Sequence, residues 1–115
     1  MTVTIWHNPR CSKSREGLAL LESKGAEVTV RRYLEDAPTL AELKAAWNAL
    51  GNPPVIEMMR PKEAAFREAG LTKDVSDATL LQAMADHPVL IERPLGIRDG
   101  RAVIGRPPER LAALL

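Results

Sequence analysis

Three observations predict a mixed α/β fold for this 115-residue chain. Alternation of apolar and polar residues over 2–6 returns over 27–33. Leucines at helical spacing lie between, so the crossover is long enough to make the two strands parallel. Near the other end, Asp99-Gly100 separates two short apolar runs. It marks an antiparallel hairpin, because both central positions of such a turn favour φ > 0. The intervening residues, 34–88, carry apolar side chains at the spacing of helices.

The elements follow in order. Val3 and Ile5 face one way and Thr2, Thr4 and Trp6 the other, as on a strand. Asn8-Pro9 breaks it. A helix is predicted over 12–24 through Leu18 and Leu21, with Gly25 at its C-terminal stop. The second strand runs through Val28 and Val30 to Tyr33. Thr39-Leu40-Ala41-Glu42 has the form of a capping box and opens a helix through Leu43 and Trp47 to Gly51. Arg60-Pro61 is expected to begin another helix that ends at Gly70, and Asp77 to cap a third that closes at His87-Pro88. Val89-Leu90-Ile91 reads as a short buried strand, followed by the hairpin and a last helix after Pro107-Pro108. The order is βαβ, a helical insertion, then βββα. A right-handed βαβ unit beside a hairpin and a terminal helix packs as a thioredoxin-like mixed sheet sandwiched by helices. The expectation is one domain over 1–115 with the helical insertion at about 36–88.

Composition narrows the function. Hydrophobic residues make up 45% and charged residues 27%, which places the chain among ordered globular proteins, and four aromatics leave a mostly aliphatic core. The net charge is +1 and basic residues are interleaved with acids, so no footprint for nucleic acid is expected. The first residues lack the charged and long apolar regions of a signal peptide, and no stretch reaches the length of a membrane span. A cytoplasmic protein without membrane contact is expected. One cysteine allows no internal disulfide, and with two histidines the familiar zinc spacings are absent, so no metal is expected.

That cysteine stands in His7-Asn8-Pro9-Arg10-Cys11-Ser12-Lys13-Ser14-Arg15, where the first strand hands over to the first helix. Unpaired N–H groups and the positive end of the helix dipole there favour a thiolate. Arg10, Lys13 and Arg15 add positive charge, and the hydroxyls of Ser12 and Ser14 could donate to the sulfur or to an anion. A buried structural cysteine is disfavoured by these polar neighbours. Ser14 occupies the place of a second redox cysteine, so any disulfide must form with another molecule. A Cys-x5-Arg phosphatase loop would need arginine where Gly17 stands. His7 could tune the thiolate or simply be a polar strand end. Arg60-Pro61, Arg93-Pro94 and Arg106-Pro107 each set an arginine in the extended conformation that a following proline imposes. They read either as surface arginines at helix starts or as an oxyanion cradle, since guanidinium groups pair bidentately with oxyanions.

Taken with Tyr33-Leu34, Leu90-Ile91-Glu92-Arg93-Pro94 and Gly105-Arg106-Pro107, the cysteine loop resembles the arsenate reductase family that uses glutathione and glutaredoxin, a family related to the redox regulator Spx. The resemblance spans nearly the whole chain. It implies that Cys11 attacks arsenate or a similar oxyanion, that Arg60, Arg93 and Arg106 bind it, and that His7 and Ser14 assist the thiolate. It also implies a cis bond before Pro94. No bound cofactor is expected; glutathione is implied as co-substrate and glutaredoxin as partner. Two further readings are a glutathione-linked thiol oxidoreductase that does not act on arsenate and an Spx-like regulatory binding protein.

Overall fold

The computed structural model describes residues 2–115 and shows two compact units. The first runs to Asp36 and resumes at Arg93, ending at Leu115; the second, Ala37–Glu92, is inserted in its sequence.

The first unit is built on strands β1 (Thr2–Trp6), β2 (Glu27–Arg31), β3 (Leu95–Arg98) and β4 (Arg101–Ile104), in the spatial order β2-β1-β3-β4. β1 and β2 are parallel, with Val3 opposite Val28, as a helical crossover requires. β3 lies antiparallel to β1 and to β4. The β3–β4 turn has Asp99 at φ 50° and Gly100 at φ 75°, the left-handed pair that the sequence predicts. Helix α1 (Ser12–Ser23) covers one face of the sheet. There Val3, Ile5, Leu21, Leu111 and Leu114 form a fully buried cluster, with Leu18, Val28 and Val103 at its margin. On the other face Trp6 is buried, with the Arg31 guanidinium 5.7 Å above its ring.

The second unit holds α2 (Leu40–Ala49), α3 (Ala64–Glu68) and α4 (Asp77–Asp86). The capping box is formed: Glu42 N–H donates to Thr39 Oγ1 at 3.1 Å, and Thr39 N–H donates to Glu42 Oε1 at 3.0 Å. α2 packs on α4, and Leu43, Ala46, Leu80, Leu81 and Met84 are buried. No helix among the described residues is long and apolar enough to cross a membrane.

Several elements differ from expectation. Val89-Leu90-Ile91 is not a strand: Pro88–Leu90 is a 3₁₀ turn, in which Leu90 N–H donates to His87 O and Ile91 N–H to Pro88 O, both at 3.0 Å. Three apolar residues are too few for periodicity to separate turn from strand, and Ile91 keeps only an isolated bridge to Met59. The last helix, Pro108–Leu114, is 3₁₀ as well. α3 begins at Ala64, because residues 60–63 make a turn in which Glu63 N–H donates to Arg60 O at 3.1 Å. Ser76 caps α4 in place of Asp77, whose carboxylate instead accepts from Val55 N–H at 3.2 Å. β2 stops at Arg31, and Tyr33 is buried beyond its end.

Candidate active site

The site starts from the break that Asn8-Pro9 makes after β1. Asn8 Oδ1 accepts from Arg10 N–H at 3.0 Å, and Cys11 N–H donates to Asn8 O at 3.0 Å, which folds the loop into a tight turn. Arg15 Nη1 donates to Pro9 O at 2.9 Å and ties that turn to the helix. Cys11 then takes the N-cap of α1, with extended backbone (φ −95°, ψ 123°). This geometry aims an N-cap side chain at the free N–H groups of the first turn.

The thiol is held below its ordinary value. Partial burial opposes the thiolate and is the largest single influence. It is outweighed by the sum of the others, which favour the thiolate: the nearby Ser14 N–H, the Arg93 guanidinium with its positive charge, and the Lys13 N–H, although the Cys11 side chain makes no formal capping hydrogen bond. Lys13's ammonium is turned elsewhere, 3.5 Å from Glu16. The charge that reaches the thiol thus comes from Arg93, far along the chain, as well as from the loop.

Ser14 is fully buried and serves two purposes. Its N–H supports the sulfur, while its Oγ lies 2.7 Å from His7 Nδ1 and accepts from Asn8 N–H at 3.0 Å. The hydroxyl therefore braces the loop, and the sulfur is served by Ser14's backbone. His7, 6% exposed, is linked to the thiol through Ser14. Its pKa is lowered, first by burial and then by the charges of Arg32 and Arg15, against an opposing hydrogen bond with Ser14, so the ring is neutral near pH 7.

Arg93 and Arg106 meet at the far ends of the hairpin strands. Arg106 Nη1 donates to Arg93 O at 3.1 Å, and Gly105 N–H donates to Pro94 O at 2.8 Å. The Arg93–Pro94 bond is cis, as the resemblance implies, and so is Arg106–Pro107. The fold thus joins His7, Ser14, Cys11, Arg93 and Arg106 into one connected set. Arg60 belongs to the second unit, where Nε lies 3.1 Å from Glu63 Oε1 and Nη1 2.9 Å from Glu92 Oε1. Among the described residues no cluster of potential metal ligands is present.

Sequence reasoning passed over three contributors. Asn8 shapes the turn, and its place before a proline was the available signal. Gly17 and Gly105 are both buried. A glycine in the middle of a predicted helix is itself a sign of close packing, because it costs about 1 kcal/mol against alanine.

A cysteine at the N-cap of the first helix of a thioredoxin-like sheet, its thiol pKa lowered in part by an arginine, defines a thioredoxin-fold protein with one thiol poised for chemistry. The chain belongs to the ArsC family, whose model matches residues 6–114. It is 46% identical over 114 residues to an arsenate reductase of Neisseria meningitidis serogroup A, a match that covers 98% of this chain and 97% of that protein. To an arsenate reductase of Haemophilus influenzae it is 44% identical over 116 residues, covering 100% of both. A solved structure described as an arsenate reductase from Vibrio cholerae matches with a TM-score of 0.95 and 49% identity, covering 100% of this chain and 98% of that one.

Proposed function

We propose that this protein reduces arsenate to arsenite, with Cys11 as the nucleophile. The observation that carries the reading is Cys11 at the N-cap of α1 with the Arg93 guanidinium near enough to favour its thiolate, and Arg106 Nη1 donating to the Arg93 carbonyl. An oxyanion approaching that sulfur meets fixed positive charge, and the similar proteins named above are described as arsenate reductases.

In this reading the Cys11 thiolate attacks arsenic, an As–O bond breaks, and the departing oxygen leaves as water after protonation. Arg93 and Arg106 offset the charge on the remaining oxygens. The sequence contains no second cysteine to resolve the adduct. The thiolate of glutathione therefore attacks the Cys11 sulfur, the As–S electron pair stays on arsenic, and As(V) becomes As(III). Arsenite departs and a Cys11–glutathione disulfide remains, which glutaredoxin reduces by thiol exchange. Arg60 is assigned no step, since Glu63 and Glu92 already meet its charge.

The test is arsenite formation with glutathione and glutaredoxin, comparing the wild type with Cys11→Ser. Turnover in the wild type and none in the variant is the expected result; no turnover in the wild type overturns the assignment to arsenate. A second reading, a glutathione-linked oxidoreductase without arsenate activity, is favoured by the engagement of Arg60 with Glu63 and Glu92, which compete with any anion for its guanidinium. Turnover of a glutathione mixed disulfide that survives Arg93→Ala and Arg106→Ala selects it.

A further inference from the structure

Three glycines surround Leu111, and two of them also enclose Pro94. A Cβ on Gly17 would stand 2.8 Å from Leu111 Cδ1 and 3.0 Å from Pro94 Cγ. A Cβ on Gly105 would stand 2.8 Å from Leu111 Cγ and 2.9 Å from Pro94 Cγ. At Gly96 the clashes are with Leu111 and Leu114, both at 2.8 Å, and Pro94 is not among its near neighbours. The Leu111 and Leu114 Cδ atoms met at Gly17 and Gly96 are far ends of flexible side chains, where a shift costs least; Leu111 Cγ, met at Gly105, stands closer to its backbone. Pro94 is a ring fused to the backbone, so pushing it moves the peptide that carries Arg93. Gly17 sits on α1, whose N-cap is Cys11, and Gly105 immediately precedes Arg106. The Pro94 ring is thus the spacer between the helix that holds the thiol and the two segments that hold the arginines.

We propose that Gly17 and Gly105 are positioning residues: together they leave a slot for the Pro94 ring, and the depth of that slot sets Arg93 on the Cys11 sulfur. A glycine is unfavourable within a helix, and its presence at position 17 is explained by this close approach. The inference rests on the reading of Arg93 as the partner of the reacting thiol. Its main readout, the titration of Cys11, needs no arsenate.

The experiment compares wild type, Gly17→Ala, Gly105→Ala and Gly96→Ala by the rate of Cys11 alkylation with iodoacetamide across pH, beside thermal unfolding. All three variants are expected to lose stability. In Gly17→Ala and Gly105→Ala the alkylation midpoint moves to higher pH, and the rate near pH 6.5 falls roughly tenfold, the size expected when one opposite charge leaves a titrating group's surroundings. In Gly96→Ala the alkylation profile stays with the wild type. The arsenate KM rises in the first two variants while the glutathione KM holds. An unchanged profile in both Gly17→Ala and Gly105→Ala overturns the proposal, and so does an equal shift in Gly96→Ala, which would mark a general loosening. If Gly17→Ala does not fold, Gly17→Ala/Leu111→Val removes the Leu111 contact and keeps that with Pro94, and the same criteria apply. Expected alkylation shifts in a protein that makes no arsenite would sink the arsenate reading and leave this one standing.

Discussion

Arg93 and Arg60 stand in the same local sequence, each directly before a proline, and reach opposite electrostatic ends. Arg60 is gripped by two carboxylates, Glu63 three residues on and Glu92 thirty-two residues on. Arg93 faces a thiol, whose pKa it helps to lower beside the Ser14 and Lys13 N–H groups. The shared dipeptide imposes only an extended backbone before the proline. What the guanidinium then does depends on which acid the fold brings within reach. An arginine held by two carboxylates has little charge left for an incoming anion, whereas one set beside a thiol can, in the proposed reaction, both activate the nucleophile and meet the oxyanion.

The comparison breaks most readily at Arg93. Arg93→Ala is expected to lower kcat/KM for arsenate by about 10²- to 10³-fold, the usual loss when one preorganised donor to a reacting oxyanion is removed. Alkylation of Cys11 should shift to higher pH in the same variant. The direction follows from the lowered thiol pKa: the thiolate fraction is lost as pH falls through the folded-state value, and removing Arg93 brings that loss to higher pH. A variant with wild-type alkylation would show that the thiol does not depend on this residue.

Arg60→Ala sharpens the contrast with a smaller effect. It leaves Glu63 and Glu92 without their guanidinium in a half-buried setting, and a loss of about 1–2 kcal/mol of stability is expected by chemical denaturation. Partial recovery in Arg60→Ala/Glu92→Gln would identify the Glu92 charge that Arg60 no longer offsets as the cause. A rise in arsenate KM equal to that of Arg93→Ala would erase the distinction between the two arginines.

The smallest effect concerns His7. Its pKa is lowered in the folded chain, so between that value and the ordinary one near 6.5 the unfolded chain binds more protons. Stability should therefore fall as pH drops from about 6.5 towards the folded-state value and then level off. His7→Gln should flatten that limb of the stability profile, measured as Tm between pH 7 and 5. An unchanged slope would place the acid sensitivity elsewhere.

Much of the first unit is legible in the chain's own periodicity. The alternation of Val3 and Ile5, the leucines of α1, and Asp99-Gly100 each act over a few residues, and each element forms where its pattern stands. The capping box of Thr39 and Glu42 forms for the same reason. The errors fall where a short run serves two geometries, as at Val89–Ile91, or where a proline-led turn delays a helix, as at Arg60–Glu63.

The candidate site divides along the same line. Cys11 at a helix N-cap, and so a thiol favoured as thiolate, is determined by the sequence alone, because free N–H groups at a helix start are a local property of the backbone. The tertiary structure decided the rest. It gave Ser14's hydroxyl to His7 and Asn8 while its N–H serves the sulfur. It made Gly17 a packing surface for Pro94, gave Arg93 to the thiol, and bound Arg60 to Glu63 and Glu92. Periodicity and turn chemistry are enforced by sterics between near neighbours. The partner of a charge or hydroxyl is settled by which distant groups share a desolvated space, and only packing determines that.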